Sequence, residues 1–328
     1  MQIELPGLFD LQVNGFAGVD FNNPKATDAD ILRAVRHLES TGVTAFLPTL
    51  ITSPLETFKQ CAKTILSQAH DAIVGLHMEG PYISGEDGPR GAHSREFVIP
   101  ASVDDFSRRQ ELAGGKILLV TLAPEAPGAI ELIEFLVQQG IRVAIGHTAA
   151  SAEQISDAVK AGATLSTHLG NGCHLQLPRH PNLIWEQLAD DKLIATLIID
   201  GHHLPAATAK CMIRSKGPNQ VILITDAMAA AGCGPGCYEL GGESVVVDNA
   251  GRVSQPGKPW LAGSALTLDQ AVVNTVKLTG MPLETVWQMA SVQPAKYLGL
   301  EPVGRVLADW DNVNCRLSNL KMACPQVV

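Results

Sequence analysis

Long apolar runs are missing from this chain. No stretch approaches the roughly 20 consecutive apolar residues of a membrane span, so no membrane association is expected. A basic start is missing too. Met1-Gln2-Ile3-Glu4 lacks the charged opening of a secretory signal peptide, which points to a cytoplasmic protein. Charge is sparse: 17% of the 328 residues are Asp, Glu, Lys or Arg, while 46% are hydrophobic. That balance argues against a disordered or coiled-coil chain and leaves ample material for a large core. Positive charge is the scarcer sign, and the formal net charge is −9. Nucleic-acid and anionic-membrane binding are therefore not expected. An anionic small molecule stays open, because a local Arg or metal can reverse the field in a pocket. There is no internal repeat and no low-complexity segment. The seven cysteines are odd in number and scattered, as reduced thiols would be. Cys233 and Cys237 bracket Gly-Pro-Gly, but a structural zinc pair there has no second ligand pair nearby in the sequence.

What the chain does have is a series of polar residues placed where apolar runs end. Ile73-Val74-Gly75-Leu76 leads into His77-Met78-Glu79. Val143-Ala144-Ile145-Gly146 leads into His147, and Ala163 to Thr167 leads into His168. Val221-Ile222-Leu223-Ile224-Thr225 leads into Asp226. Runs of this kind read as buried parallel strands. Eight of them lie near residues 8–14, 43–49, 72–78, 116–122, 141–146, 163–167, 193–199 and 221–225, with helical patterns between most. Asp28 to Ser40 carries Ile31, Leu32, Val35 and Leu38 on one face, with Thr27 or Asp28 as cap. Ser151 to Ala161 opens with a capping-box pattern, Ser151 and Gln154, and Gly162 stops it. Leu204 to Ser215 and Ala265 to Leu278 read as further helices. This alternation predicts a closed (β/α)8 TIM-like barrel. An open doubly wound sheet would gather its site at one switch crevice, whereas these polar residues end strands across the whole chain. The Gly-rich segment at about 238–259, with turn chemistry at Asp248-Asn249-Ala250-Gly251, reads as a β-hairpin inserted after the eighth strand.

A Glu, two His and an Asp at the ends of different strands suit a metal hydrolase. Each alone has a plainer reading: a strand-end ion pair for Glu79, hydrogen-bonded structural histidines for His147 and His168, a helix cap for Asp226. Together they change the odds. Imidazole and carboxylate suit zinc, iron or manganese, and three protein ligands leave a position open for water. Asp226 is then placed to accept the proton of that water. His77, two residues before Glu79, reads as a supporting or core histidine rather than a ligand. Asn171-Gly172 is either a tight turn or a source of backbone N–H groups for an anion. Arg179 is either a solvated loop residue or a bidentate phosphate contact. His93 and His203 read alone as surface histidines.

The ordered set His-Met-Glu-Gly-Pro-Tyr, Gly-His-Thr, Thr-His-Leu-Gly-Asn-Gly, Asp-Gly-His-His, Ile-Thr-Asp-Ala-Met and Leu-Ala-Gly-Ser-Ala-Leu-Thr resembles the N-acetylglucosamine-6-phosphate deacetylases of the amidohydrolase superfamily. Pro6 to Gly15 is similar to their first barrel strand, and the resemblance runs from about Leu5 to Leu300. It implies metal ligands Glu79, His147 and His168, Asp226 as general base, and His93 as the group that polarises the amide carbonyl. Asn171, Gly172, Arg179 and His203 match positions that hold the sugar phosphate. Gln12 and Asn14 stand where relatives with two metals carry His-x-His, so one divalent ion is expected, zinc first and iron or manganese as alternatives. The implied reaction is hydrolysis of the N-acetyl group of N-acetylglucosamine-6-phosphate to glucosamine-6-phosphate and acetate. The implied partner is a small amino sugar phosphate, and the assembly to consider is a homodimer. Alternatives are N-acetylgalactosamine-6-phosphate or an N-acyl amino acid as substrate, a deaminase on the same scaffold, and a non-catalytic sugar-phosphate sensor. The family's small β-sandwich is expected to be missing or reduced. The barrel would span 5–300, and 301–328 would be a tail left from that domain.

Overall fold

Eight parallel strands form the centre of the computed structural model, which describes residues 1–258 and 260–323. They are β1 (Leu8–Val13), β2 (Val43–Ile51), β3 (Leu76–Glu79), β4 (Ile117–Leu122), β5 (Arg142–Ile145), β6 (Leu165–Ser166), β7 (Ile194–Leu197) and β8 (Val221–Leu223). Each pairs with its sequence neighbour from β1 to β8. The sheet curls until its edges meet: Val13 bridges to Ala227 in parallel, and the Asn14 N–H donates to the Ala227 carbonyl at 2.7 Å. This is a (β/α)8 barrel. Its strands are buried on both faces because one face fills the barrel and the other lies under the helices. Phe9, Leu11, Phe46, Val120, Val143, Leu197 and Ile222 are all buried in this core. Among the described residues no helix is long and apolar enough to cross a membrane.

The local signals act as their chemistry requires. Thr27 caps the helix Asp28–Ser40 in a full capping box with Asp30. Ser151 and Gln154 do the same for Ala152–Ala161, and Gly162 ends that helix at φ +115°. The third strand starts at Leu76 rather than near 72. Gly75 lies against Leu118, where a Cβ would come within 2.5 Å of Leu118 Cδ1, so the chain enters the barrel there by close backbone approach.

The segment expected as one hairpin at about 238–259 is a three-stranded antiparallel sheet: Gly236–Leu240, Glu243–Val247 and Val253–Ser254. It has two turns. Gly241 and Gly242, at φ +58° and +87°, make the first, a conformation that both residues of a two-residue hairpin loop need. Asp248 to Gly251 makes the second. The expected limit at Pro259 lies outside the described residues. Leu240, Val245, Val247 and Val253 pack on Met228, Ala229 and Ala262 as a small core of their own, and the Gly241 N–H donates to Asp20 at 2.8 Å, tying the insert to the barrel.

The termini meet. Gln2–Pro6 runs antiparallel to Arg305–Asp311, which runs antiparallel to Arg316–Met322. The tail thus supplies two strands of a three-stranded sheet, with Val306, Ala308 and Trp310 buried in alternation. Residues 324–328 of that expected tail lie outside the described residues.

Candidate active site

The C-terminal ends of the barrel strands carry the polar residues, as the fold dictates. Glu79 is the last residue of β3. His147 and His168 each stand two residues past their strands, β5 and β6, and Asp226 three past β8. These three take positive φ, at +50°, +30° and +50°. Non-glycine residues held there cost about 1–3 kcal/mol each and cluster at functional sites. The turn aims each side chain inward over the barrel mouth.

Three ligand-type atoms converge. His168 Nε2 is 3.0 Å from His147 Nε2 and 3.2 Å from Glu79 Oε1, and His147 Nε2 is 3.3 Å from that same oxygen. Among the described residues these three form the one group able to hold a metal. A four-coordinate ion with ligands at about 2.0–2.1 Å spaces them roughly 3.3–3.4 Å apart, so the triangle fits a divalent ion. His147 Nδ1 lies 2.9 Å from the Pro89 carbonyl. Nδ1–H donates to that carbonyl, which leaves Nε2 with a free lone pair, the tautomer a ligand requires. Gly172 lies against both rings: a Cβ there would stand 3.0 Å from His147 Nδ1 and 3.1 Å from His168 Cε1.

The two carboxylates are tuned apart. Burial pushes Glu79 up, but the two imidazoles outweigh it and hold Glu79 well below the usual carboxylate range. Asp226 is held above that range by burial and by the charge of Glu79, with His168, His203 and Asn14 opposing. Gln12 Nε2 donates to both, at 2.8 Å to Glu79 Oε1 and 3.0 Å to Asp226 Oδ1. Asn14 Nδ2 donates to Asp226 Oδ1 at 2.6 Å. The Gln12 and Asn14 amides therefore hold the two acids in place from the side. Such a separated pair, one acid firmly ionised and its neighbour poised higher, is the arrangement that acid–base chemistry uses.

His93, expected from its local sequence alone to be a surface residue, is buried at the same place. Its Nδ1 takes the Thr52 backbone N–H at 3.4 Å and lies 2.8 Å from Thr52 Oγ1. Burial, with the neighbouring His147, holds it well below the ordinary histidine range. It is a neutral ring whose Nε2–H faces the cavity, 3.7 Å from Glu79 Oε2. His203 is fixed by Asp200, Nδ1 to Oδ2 at 2.6 Å, and the same Asp200 accepts the His202 and His203 N–H groups. His77 sits outside the triangle, bound to Thr121 Oγ1 at 2.8 Å, and burial lowers it to about 4.

The cavity over these groups measures about 480 Å³, within the usual range for a small-molecule site. Glu79, His93, His147, His168, Asn171, Gly172, His203 and Asp226 all line it. Arg179 does not. It lies exposed on the loop after β6, outside the lining of this chain's cavity. Cys233 and Cys237 are exposed and belong to no donor cluster among the described residues. Sequence reasoning missed Thr52, Asp200, Arg252 and Trp260. Asp200 carried a signal, since an apolar strand precedes Asp-Gly-His-His. Thr52 carried none, because its partner is 41 residues away.

Comparison with known proteins agrees with this geometry. Residues 3–311 match the amidohydrolase family. The chain is 35% identical over 304 residues to the N-acetylglucosamine-6-phosphate deacetylase of Bacillus subtilis strain 168, covering 90% of this chain and 75% of that one. It is 36% identical over 304 residues to the N-acetylgalactosamine-6-phosphate deacetylase of Escherichia coli O157:H7, covering 91% and 78%. The structure of a mutant N-acetyl-D-glucosamine-6-phosphate deacetylase from Mycobacterium smegmatis, in complex with N-acetyl-D-glucosamine-6-phosphate, superposes with a TM-score of 0.90 at 29% identity, covering 98% and 87%. The family match spans the whole barrel and reaches into the terminal sheet: this chain belongs to the amidohydrolase family.

Proposed function

We propose that this protein is a metal-dependent deacetylase of N-acetylglucosamine-6-phosphate, yielding glucosamine-6-phosphate and acetate. The observation that carries the reading is the Glu79–His147–His168 triangle with Asp226 hydrogen-bonded to the same Gln12 amide that holds Glu79. Deacetylase relatives at 34–36% identity support it.

Glu79 Oε1, His147 Nε2 and His168 Nε2 would hold one divalent ion, with zinc the first choice and iron or manganese the alternatives. When bound, such an ion acidifies water and polarises a carbonyl. The remaining chemistry belongs to the chain. Asp226 takes a proton from the water that attacks the acetyl carbon. His93 donates Nε2–H to the carbonyl oxygen as charge builds there. Asp226 then delivers the proton to the departing amine nitrogen as the C–N bond breaks. Asn171, Gly172 and His203 face the cavity from the loops after β6 and β7 and bind the sugar phosphate. In this reading 5–300 is the catalytic barrel with its insert, the terminal sheet is a reduced accessory unit, the enzyme is cytoplasmic, and a homodimer is the assembly to test.

The relative that acts on an N-acetylgalactosamine phosphate, at 36% identity, makes the galacto epimer the second reading. Acetate release decides between them. The metal-loaded protein is given N-acetylglucosamine-6-phosphate, its galacto epimer and the unphosphorylated sugars. Turnover of the gluco phosphate over the galacto phosphate is expected. The reverse preference overturns the substrate, and release from none of them overturns the activity.

A further inference from the structure

We infer that Asp10, a buried carboxylate to which the proposed reaction gives no part, is a positioning residue for the general base: through Thr225 it fixes the turn that carries Asp226. This rests on the reading of Asp226 as that base. Asp10, Gln12 and Asn14 stand at every second position along β1 and its extension, so they face the same way. Gln12 and Asn14 reach the base directly, at Asp226 Oδ1. Asp10 is the farthest of the three from the barrel mouth and is fully buried. It reaches the residue just before the base. The Thr225 hydroxyl donates to Asp10 Oδ2 at 2.6 Å, and the Thr225 N–H donates to Asp10 Oδ1 at 3.3 Å. The Gln12 N–H donates to the same Oδ1 at 3.2 Å.

These contacts bracket Asp226. Thr225 Oγ1 also accepts the Ala227 N–H at 3.0 Å, so one hydroxyl joins Asp10 to the far side of the turn. The Ala227 carbonyl accepts the Asn14 and Gly15 N–H groups at 2.7 and 3.1 Å. From the opposite side the Ser264 hydroxyl donates to the Thr225 carbonyl at 2.6 Å, and the Ser264 N–H to the Asp226 carbonyl at 2.9 Å. Asp226 itself sits at φ +50°, a conformation that a non-glycine residue keeps only where its surroundings over-determine it. The seam of the barrel shows why a side-chain clamp is needed there. Among the described residues β1 and β8 are the two edges of the sheet and share no ladder. Phe9 and Leu223 turn their N–H groups to the Ala290 and Met289 carbonyls instead, and the edges meet again at the Val13–Ala227 bridge. The Asp10–Thr225 contact joins them in between. A buried staple for the fold is the plain alternative. An apolar pair would serve that purpose at least as well, because a buried carboxylate is costly to desolvate. What the carboxylate adds is direction: three donors gathered on one side chain, from Gln12, which holds the base, and from Thr225, which precedes it.

The test uses the full metal-loaded chain with Thr225→Val, Thr225→Ser, Asp10→Asn and the Asp10→Asn/Thr225→Val double variant. Valine matches the shape of threonine and lacks the hydroxyl. Thr225→Val is expected to lower kcat on N-acetylglucosamine-6-phosphate on the order of tenfold, the effect of losing one hydrogen bond to a charged group, with KM and metal content little changed. Thr225→Ser restores the hydroxyl and should recover most of kcat. Asp10→Asn keeps one acceptor oxygen where two are used and should lose kcat to a similar extent. The double variant should lose little more than either single one, because both remove the same contact. Placed on Asp226→Asn, Thr225→Val should cost no further activity, whereas a fold staple would cost the same factor again. Full kcat in Thr225→Val with only a lower melting temperature overturns the proposal. So does an undiminished loss in the Asp226→Asn background, or no recovery in Thr225→Ser. Should Thr225→Val fail to fold, Asp10→Asn carries the same comparisons. A crystal structure of the folded variant answers independently of turnover: the Asp226 carboxylate is expected to leave hydrogen-bond reach of Gln12 or Asn14, and an unmoved carboxylate overturns the positioning role. If the wild type cleaves no amide while the variant's Asp226 is displaced, the deacetylase reading fails and the positioning role stands.

Discussion

Removing the charge of Asp226 should separate catalysis from stability, because the residue has two distinct kinds of contact. Its Oδ1 accepts from Asn14 at 2.6 Å and Gln12 at 3.0 Å, and the side chain is buried close to the equally buried Glu79. Asp226→Asn keeps an acceptor for both amides and removes a buried negative charge from beside another. It also removes the carboxylate lone pairs that take a proton from water. Loss of a positioned general base lowers turnover by about 10²–10⁴-fold, which is roughly 3–5 kcal/mol of transition-state stabilisation. Melting temperature should hold or rise, because burial and Glu79 both disfavour the charged form that the substitution removes. Asp226→Ala should lose activity equally but also stability. It strands two buried amide donors at about 1–3 kcal/mol each. Acetate release, metal content by mass spectrometry and thermal melting on the three proteins give the answer. Turnover within tenfold of wild type in Asp226→Asn, or melting as low as that of Asp226→Ala, would refute the reasoning.

Four further outcomes are expected. His93→Gln should keep metal content and lower kcat by about 10²-fold, the effect of losing one oxyanion donor; a change in KM alone would point to substrate packing instead. Thr52→Val, which leaves His93 Nδ1 only the long 3.4 Å backbone contact, should lower kcat by about tenfold through loss of one hydrogen bond, with metal content unaltered. Stripping the metal with a chelator should abolish activity and lower the melting temperature, since an ion held at 1,000 times its Kd adds about 4 kcal/mol and its loss leaves three ligand atoms 3.0–3.3 Å apart; an unchanged melt would exclude a tightly bound ion. Asp10 is raised to about 7, chiefly by burial, so the folded protein keeps a proton that the unfolded chain has already released above pH about 4. Stability should therefore fall as pH rises from about 4 to about 7 and level off above that, by up to about 4 kcal/mol, and Asp10→Asn should flatten that slope in denaturant titrations at several pH values.

Some of this was determined by the sequence alone, wherever the physics is local. The capping box at Ser151 and Gln154 joins groups three residues apart and could be read from spacing, whereas at the first helix spacing left Thr27 and Asp28 open and the structure puts the cap at Thr27. The barrel strands are buried on both faces and so mostly apolar, and several end visibly where a polar residue stops the run. That is why Glu79, His147, His168 and Asp226 stood out singly, as did the turn at Asp248–Gly251. Tertiary structure decided what depends on partners far along the chain. Gln2–Pro6 pairs with Arg305–Asp311 across some 300 residues, so the alternation of Val306, Ala308 and Trp310 marked a strand only once its partner was in place. His93 looks like a surface residue until Thr52 and Glu79 enclose it. Gln12 and Asn14 were legible as poor ligands, but that they grip Glu79 and Asp226 follows from barrel closure, which brings the first strand beside the last. The β-insert is the clearest case: its turn chemistry is local and was legible, whereas its anchoring to Asp20 and His202 depends on the curl of the sheet, which brings groups far apart in the chain side by side.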